Sequence, residues 1–262
     1  RRGGSFERLK KFKKSDEDLL LSLKIKPSDP YVMNYLAYSW LERGYEIDKA
    51  LKNFSHEIIF VDDGSKDDTR NSVLALNNLK QVRLIVHKKC YGQSIAMRSG
   101  ILKSNCDLIA TLDGDGQNDP SDLPEMIKAY FKSNSKLTLV AGIRYKRKDT
   151  LSKKIASIFA RYIRRILFSD THPDSGCGIR VFSKELYSSL PFFNHMHRFF
   201  TILALRYNAD VIGVNVNHRE RVKGKSKYSN LGRAMVGIID VLGVLWVLKR
   251  TPKDITFFEE TK

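Results

Sequence analysis

HEIIFVDDGSKDDT, residues 56–69, strings Ile58, Ile59, Phe60 and Val61 into an unbroken apolar run and ends it at Asp62, Asp63, Gly64 and Ser65. A run without polar alternation reads as a strand buried on both faces, and the acids, glycine and serine after it read as its exit turn. The same grammar continues downstream. SKDDTRNSVLALNNL has an N-cap serine and helical period, VRLIVHK is a second strand, SIAMRSGILKS a helix, DLIATLDGD a third strand and LTLVAGIR a fourth. Strands alternating with helices imply an α/β fold, an open and mostly parallel sheet with flanking helices. In such sheets ligands bind beyond the carboxyl ends of the strands. Asp62–Asp63 and Asp113–Asp115 both fall at those ends.

Upstream of His56 the pattern is helical. DPYVMNYLAYSWLERG spaces Val32, Tyr35, Leu36 and Trp40 at helical intervals, Gly44 stops the helix at a C-cap position, and a second helix, Ile47 to Phe54, follows. Residues 28–54 resemble a single tetratricopeptide repeat, which cannot bury its own face without neighbouring repeats. Residues 1–14 are strongly basic, with Glu7 as their one acid, and read as a solvated arm. The expected organisation is a helical, basic segment over 1–54, a catalytic domain over 55–250 and a tail over 251–262.

The chain has 262 residues, of which 42% are hydrophobic, enough for one large or two small globular domains. Its formal net charge of +17 predicts attraction to something acidic: nucleic acid, a phosphate-bearing substrate or an anionic membrane surface. It carries no recognisable nucleic-acid motif, so no nucleic-acid partner is expected. Cys90, Cys106 and Cys177 show no CxxC spacing and read as packing thiols in a reducing compartment. No stretch approaches the roughly 20 apolar residues of a membrane span, and the basic start lacks the apolar core of a signal peptide. The expected location is cytoplasmic, peripheral at the cytoplasmic face of a membrane. LSKKIASIFARYIRRILF, 151–168, sets Ile155, Ile158, Phe159, Tyr162 and Ile166 along one face of a basic helix, suited to a lipid interface. VGIIDVLGVLWVLKR, 236–250, is apolar but short and interrupted by Asp240, suited to an interface or to a membrane-protein partner.

The sharpest chemical signal is LDGDGQNDP, residues 112–120. Two carboxylates one residue apart, on a turn with glycines, suit a hard divalent cation, Mg²⁺ or Mn²⁺, that keeps positions open for phosphate oxygens. HRERVKGKSKYS clusters Arg219, Arg221, Lys225, Ser226 and Lys227 around Gly224, a composition fit for phosphate.

VDDGSKDDT, CYGQSIAMRSG, LDGDGQNDP, DSGCGIRVFSKE, HMHRFF and VNHRERVKGKSKYSNLGR resemble, in that order, the motifs of family-2 glycosyltransferases of the GT-A fold. The likeness is to the dolichol-phosphate mannose synthase and polyprenyl-phosphate glycosyltransferase branch and covers residues 56–250. It implies inverting transfer of a sugar (mannose, glucose or a relative) from a nucleotide sugar to a polyprenyl or dolichyl phosphate. By this resemblance Asp62 and Asp63 contact the donor nucleotide, while Asp113 and Asp115 bind the metal and, with Gln117, the diphosphate. Asp174 is implied as base or orienting group near the acceptor, with Arg221 as its catalytic companion. Arg180, Arg219, Lys225, Ser226 and Lys227 are implied to hold the diphosphate and acceptor phosphate. His197 and Arg198 match the family's HRF motif, with His197 either a core histidine or a ligand. Family members open with a strand of the type VVIPVYNE, and nothing in residues 1–55 fits it. The helical segment stands in its place, which predicts exposed backbone groups on the neighbouring strands and weakened donor binding.

Overall fold

The computed structural model describes residues 47, 50–51, 54–74, 81–144, 161–219 and 230–251, with side chains after 230 described from Gly237 on. These residues fall into two compact units. One holds the described residues up to Ser104 together with Asp113–Ser121 and Arg219; the other holds Asn105–Leu112, Asp122–His218 and the residues from Asn230.

The first unit is built on two parallel strands, β1 (Ile58–Asp62) and β2 (Val82–Val86), in register from Ile58 opposite Val82 to Asp62 opposite Val86. Helix α1 (Thr69–Leu74) follows β1. The expected serine N-cap is not what starts it: Ser65 donates its N–H to Asp62, and Asp67 accepts from the backbone and hydroxyl of Thr69. Helix α2 (Gln93–Lys103) packs on β1, where Gly100 brings the backbone so close that a Cβ would lie 3.2 Å from Val61 Cγ2. Of the repeat-like N-terminal helices, the described part is a final helical turn in which Leu51 N–H donates to Ile47 O and the Leu51 side chain is buried. The rest of the expected repeat lies outside the described residues.

The second unit is a four-stranded sheet in the order β3 (Leu108–Thr111), β5 (Arg180–Ser183), β4 (Thr138–Arg144), β6 (Asp210–Val216). Strands β4 and β6 are parallel, whereas β5 runs antiparallel between β3 and β4. Flanked on both sides, β4 is buried from Thr138 to Gly142, as a near-continuous apolar strand should be. Helix α3 (Leu123–Lys132) places Leu123, Met126 and Ile127 on one buried face. Residues 161–168 form helix α4, and α5 (Lys184–Ser189) is capped by the Ser183 hydroxyl accepting from Leu186 N–H. The core is closed by α6 (Phe200–Arg206), with Phe182 and Phe200 edge to face at 4.7 Å. The long helix α7 (Asn230–Arg250) ends the described chain. No helix among the described residues is long and apolar enough to cross a membrane.

Among the described residues the edge strands are β1 and β2 in one sheet and β3 and β6 in the other. In the parallel pair, Ile58 N–H donates to Gln81 O and His87 N–H to Asp62 O, so residues 58, 60 and 62 bond toward β2. Ile59 and Val61 therefore turn their N–H and C=O groups to the other side. In the antiparallel pair, Lys184 N–H donates to Asp107 O, so Leu108 and Ala110 face away from β5, and Ala110 is exposed.

Candidate functional site

Four of the residues that the resemblance assigns to the donor and metal, Asp62, Asp63, Asp113 and Asp115, fall in the first unit. At the exit of β1, Asp62 is 5% exposed and accepts the Ser65 N–H at 2.9 Å. Gly64 (φ +72°) lies against the backbone of the next strand's exit loop; a Cβ there would sit 2.5 Å from Lys89 C. The Asp63 carboxylate gathers that loop. It accepts the N–H groups of Tyr91 (2.9 Å) and Gly92 (2.7 Å), the Cys90 thiol (3.2 Å) and a bond with His87 Nδ1 (2.7 Å). Burial alone would raise its pKa, but the bonds from His87, Tyr91, Gly92 and Cys90 outweigh it and bring the group down to about 2.

The 113–119 turn lies in the same unit. Asp113 N–H donates to the buried Asn118 Oδ1 at 2.8 Å, and the Asp113 carboxylate accepts the Gln93 amide at 2.7 Å. Asp115 accepts the Gln117 N–H at 3.1 Å. The root of the basic loop is fixed to this turn: Arg219 N–H donates to Gln117 O at 2.9 Å, and the Arg219 guanidinium pairs with Asp119 at 2.8 Å. Burial would raise the Asp119 pKa, but bonds from Ser121 and the Arg219 charge lower it. Arg221, Lys225, Ser226 and Lys227 lie outside the described residues.

Asp113 and Asp115 offer hard carboxylate oxygens on one turn, with no soft ligand beside them. No group of three or more metal-ligating side chains occurs among the described residues. That donor set fits a divalent cation that takes its remaining positions from a diphosphate and water.

The second unit holds Asp174 and Arg180. Asp174 is gripped by a residue the motifs had not singled out: Arg144, at the end of β4, donates from Nε to Oδ2 and from Nη2 to Oδ1, both at 2.7 Å. This two-pronged pair is largely buried, at 15% and 13% side-chain exposure. Asp174 N–H donates to His172 Nδ1 at 3.2 Å, and burial lowers the His172 pKa. Arg180 is buried, donates to Ser175 O at 3.1 Å and stands over the Phe200 ring. His197 is on a 3₁₀ turn (Met196–Phe199), where burial and the nearby Arg180 and Arg198 lower its pKa to about 4; Arg198 pairs with Asp240 at 2.9 Å.

The residues missed from sequence are Gln93, Asn118, Asp119 and Arg144. A signal existed for Arg144, a charge ending an apolar strand, and for Gln93, which follows a glycine at a helix start. Nothing in sequence paired Asp119 with Arg219, a hundred positions away.

The fold is that of the GT-A glycosyltransferases. Glucosyl-3-phosphoglycerate synthase from Mycobacterium tuberculosis, solved with Mn²⁺, UDP and phosphoglyceric acid, superposes with a TM-score of 0.59 at 17% identity, over 79% of this chain and 74% of that one. Residues 35–190 match the Glycosyl transferase family 2 domain, and the chain belongs to that family. Among curated relatives, dodecaprenyl-phosphate galacturonate synthase of Rhizobium johnstonii is 33% identical over 80% of this chain and 63% of its own length. Undecaprenyl-phosphate 4-deoxy-4-formamido-L-arabinose transferase of an Enterobacter species is 32% identical over 66% of this chain and 53% of its own. The chain thus spans somewhat more than half the length of these relatives.

Proposed function

We propose that this chain transfers a sugar from a nucleotide sugar to a polyprenyl phosphate at a membrane surface, with inversion at the sugar carbon. The observation that carries this is the 113–119 turn, where the Asp113 and Asp115 carboxylates are each oriented by a hydrogen bond and Arg219 is paired to Asp119. The relatives, named for sugar transfer to polyprenyl phosphates, support the acceptor class. Asp113 and Asp115 would hold Mg²⁺ or Mn²⁺, which supplies Lewis-acid neutralisation of the departing nucleoside diphosphate.

The nucleophile is a phosphate monoester, already mostly ionised near neutral pH since its second pKa is about 6. The protein must therefore orient it more than deprotonate it. Asp174, with both oxygens engaged by Arg144, suits an orienting role. Asp62, Gln117, Arg219 and the loop bearing Arg221, Lys225, Ser226 and Lys227 complete the assignment for nucleotide and phosphates, within a catalytic domain over 55–250.

The contact is assigned to the cytoplasmic face of a membrane, and two helices support contact with a membrane surface. Helix α7 exposes Ile238, Ile239, Leu242 and Trp246 ahead of Lys249 and Arg250, and α4 exposes Tyr162 and Ile166 beside Arg161 and Arg165. The same apolar faces would suit a membrane-protein partner. The experiment is sugar transfer to a polyprenyl phosphate in the presence of Mn²⁺ or Mg²⁺ with a panel of nucleotide sugars. No transfer with any donor would reject the activity, and metal-independent transfer would reject the metal role given to Asp113 and Asp115.

The edges of β1 and β3, unpaired among the described residues, favour a second reading, a catalytically weak chain whose repeat-like N-terminal sequence serves as an interaction segment. Nucleotide-sugar affinity typical of family members would remove it.

A further inference from the structure

Helix α2 begins without an acidic residue in its first turn, and its N-cap, Gly92, has no side chain to satisfy the open backbone donors. The missing anion comes from another element. Asp63, thirty positions before Gln93, accepts the N–H groups of Tyr91 and Gly92 just ahead of the helix. His87 ties the same carboxylate to the body of α2, because its other ring nitrogen meets Ser99 Oγ at 2.9 Å. The helix start is thereby fixed in position, and its first residue is Gln93. From there the Gln93 amide reaches Asp113 Oδ1 at 2.7 Å, while Asp113 N–H is held by Asn118.

We propose that Gln93 is a positioning residue for the Asp113 carboxylate, holding Oδ1 so that the group stays oriented for a divalent cation. The inference rests on the diphosphate and metal role given to Asp113 and Asp115 above. The chemistry of the amide matters. It donates a hydrogen bond without bringing a positive charge of its own to the carboxylate. A lysine in its place would be a competing counter-ion. Partners that orient a ligating carboxylate typically affect metal affinity by about 10- to 100-fold.

The test uses the full chain and Mn²⁺ alone, with free Mn²⁺ read by its electron paramagnetic resonance signal. Wild type is expected to bind, Asp115→Ala to lose binding, and Gln93→Leu to bind about tenfold or more weakly. Gln93→Lys is expected to be at least as weak as Gln93→Leu. Gln93 is exposed, so its variants should melt with wild type, and equal thermal midpoints separate positioning from a folding defect. In transfer assays Gln93→Leu should need more Mn²⁺ for half-activation yet return to near wild-type kcat when Mn²⁺ saturates. Wild-type Mn²⁺ affinity in Gln93→Leu, with binding lost in Asp115→Ala, overturns the positioning role and leaves the metal site standing. Equal Mn²⁺ behaviour of wild type and Asp115→Ala overturns the metal site itself, and the inference with it. A Gln93→Lys variant that binds Mn²⁺ as wild type does would also overturn it, because charge at that position would then not matter.

Discussion

Asp63 and Asp113 stand at comparable places in the chain, each just past an apolar strand and each close to a glycine, and they are held differently. Asp63 is met by two backbone N–H groups, a thiol and an imidazole, all from the 87–92 stretch. The Asp113 carboxylate accepts a side-chain amide, from Gln93, and its neighbour Asp115 accepts the N–H of Gln117 on its own turn. A carboxylate saturated by backbone donors works as a fixed internal anion, stabilising a helix start and joining two loops. A carboxylate oriented by a neutral side chain keeps its charge for a ligand. Under the proposed function the two acids divide labour: Asp63 builds the wall and Asp113 is aimed.

The sharpest way to break this contrast is Asp115→Ala. It should lower sugar transfer by at least about 100-fold, as loss of a preorganised electrostatic partner does, with little change in a urea-unfolding midpoint. Gly64→Ala should do the reverse. Its Cβ would collide with the Lys89 and Cys90 backbone at positive φ, costing about 2 to 4 kcal/mol of stability in denaturant titration. Asp63→Asn sets an amide against the Tyr91 and Gly92 donors and should cost about 1 to 2 kcal/mol at pH 7. The pH dependence follows from the same group. Its folded pKa, about 2, lies below the ordinary value of 3.8, so its stabilisation is present above pH 4 and is lost as pH falls toward 2. Acid unfolding of wild type should be steeper in that window than unfolding of Asp63→Asn; parallel curves would remove the internal-anion role. The smallest effect belongs to Asp62→Asn, whose side-chain oxygen can still accept the Ser65 N–H. Its stability should change less than that of Asp63→Asn, so a loss of nucleotide-sugar affinity in folded protein would report donor contact directly.

Much of this was legible in the sequence because the signals are local. The apolar runs of β1, β2, β3 and β4, and the helix after Gly92, stand out by period and by their exit residues. Strand β5 did not stand out. RVFS is four residues long, follows a glycine-rich loop, and becomes a strand only because β3 and β4 lie on either side of it. Helix α3 was passed over although Leu123, Met126 and Ile127 mark its buried face. In the site, the D-x-D spacing announced Asp113 and Asp115, while the occupation of Asp63 was invisible: backbone N–H groups have no letter in a sequence. The two-pronged hold of Arg144 on Asp174 joins residues thirty positions apart and was likewise hidden.

The outward-facing backbone of Ile59 and Val61 ties the protein's behaviour in the test tube to its charge. An uncovered strand edge with apolar side chains invites a copy of itself to add alongside. The chain carries no proline or charged residue between Ile58 and Val61 to discourage it. The net charge of +17 opposes such addition, and its repulsion reaches only about 10 Å at 0.1 M salt and about 3 Å at 1 M. Concentrated stocks should therefore stay clear in dilute buffer and cloud as salt rises, with light scattering as the measurement.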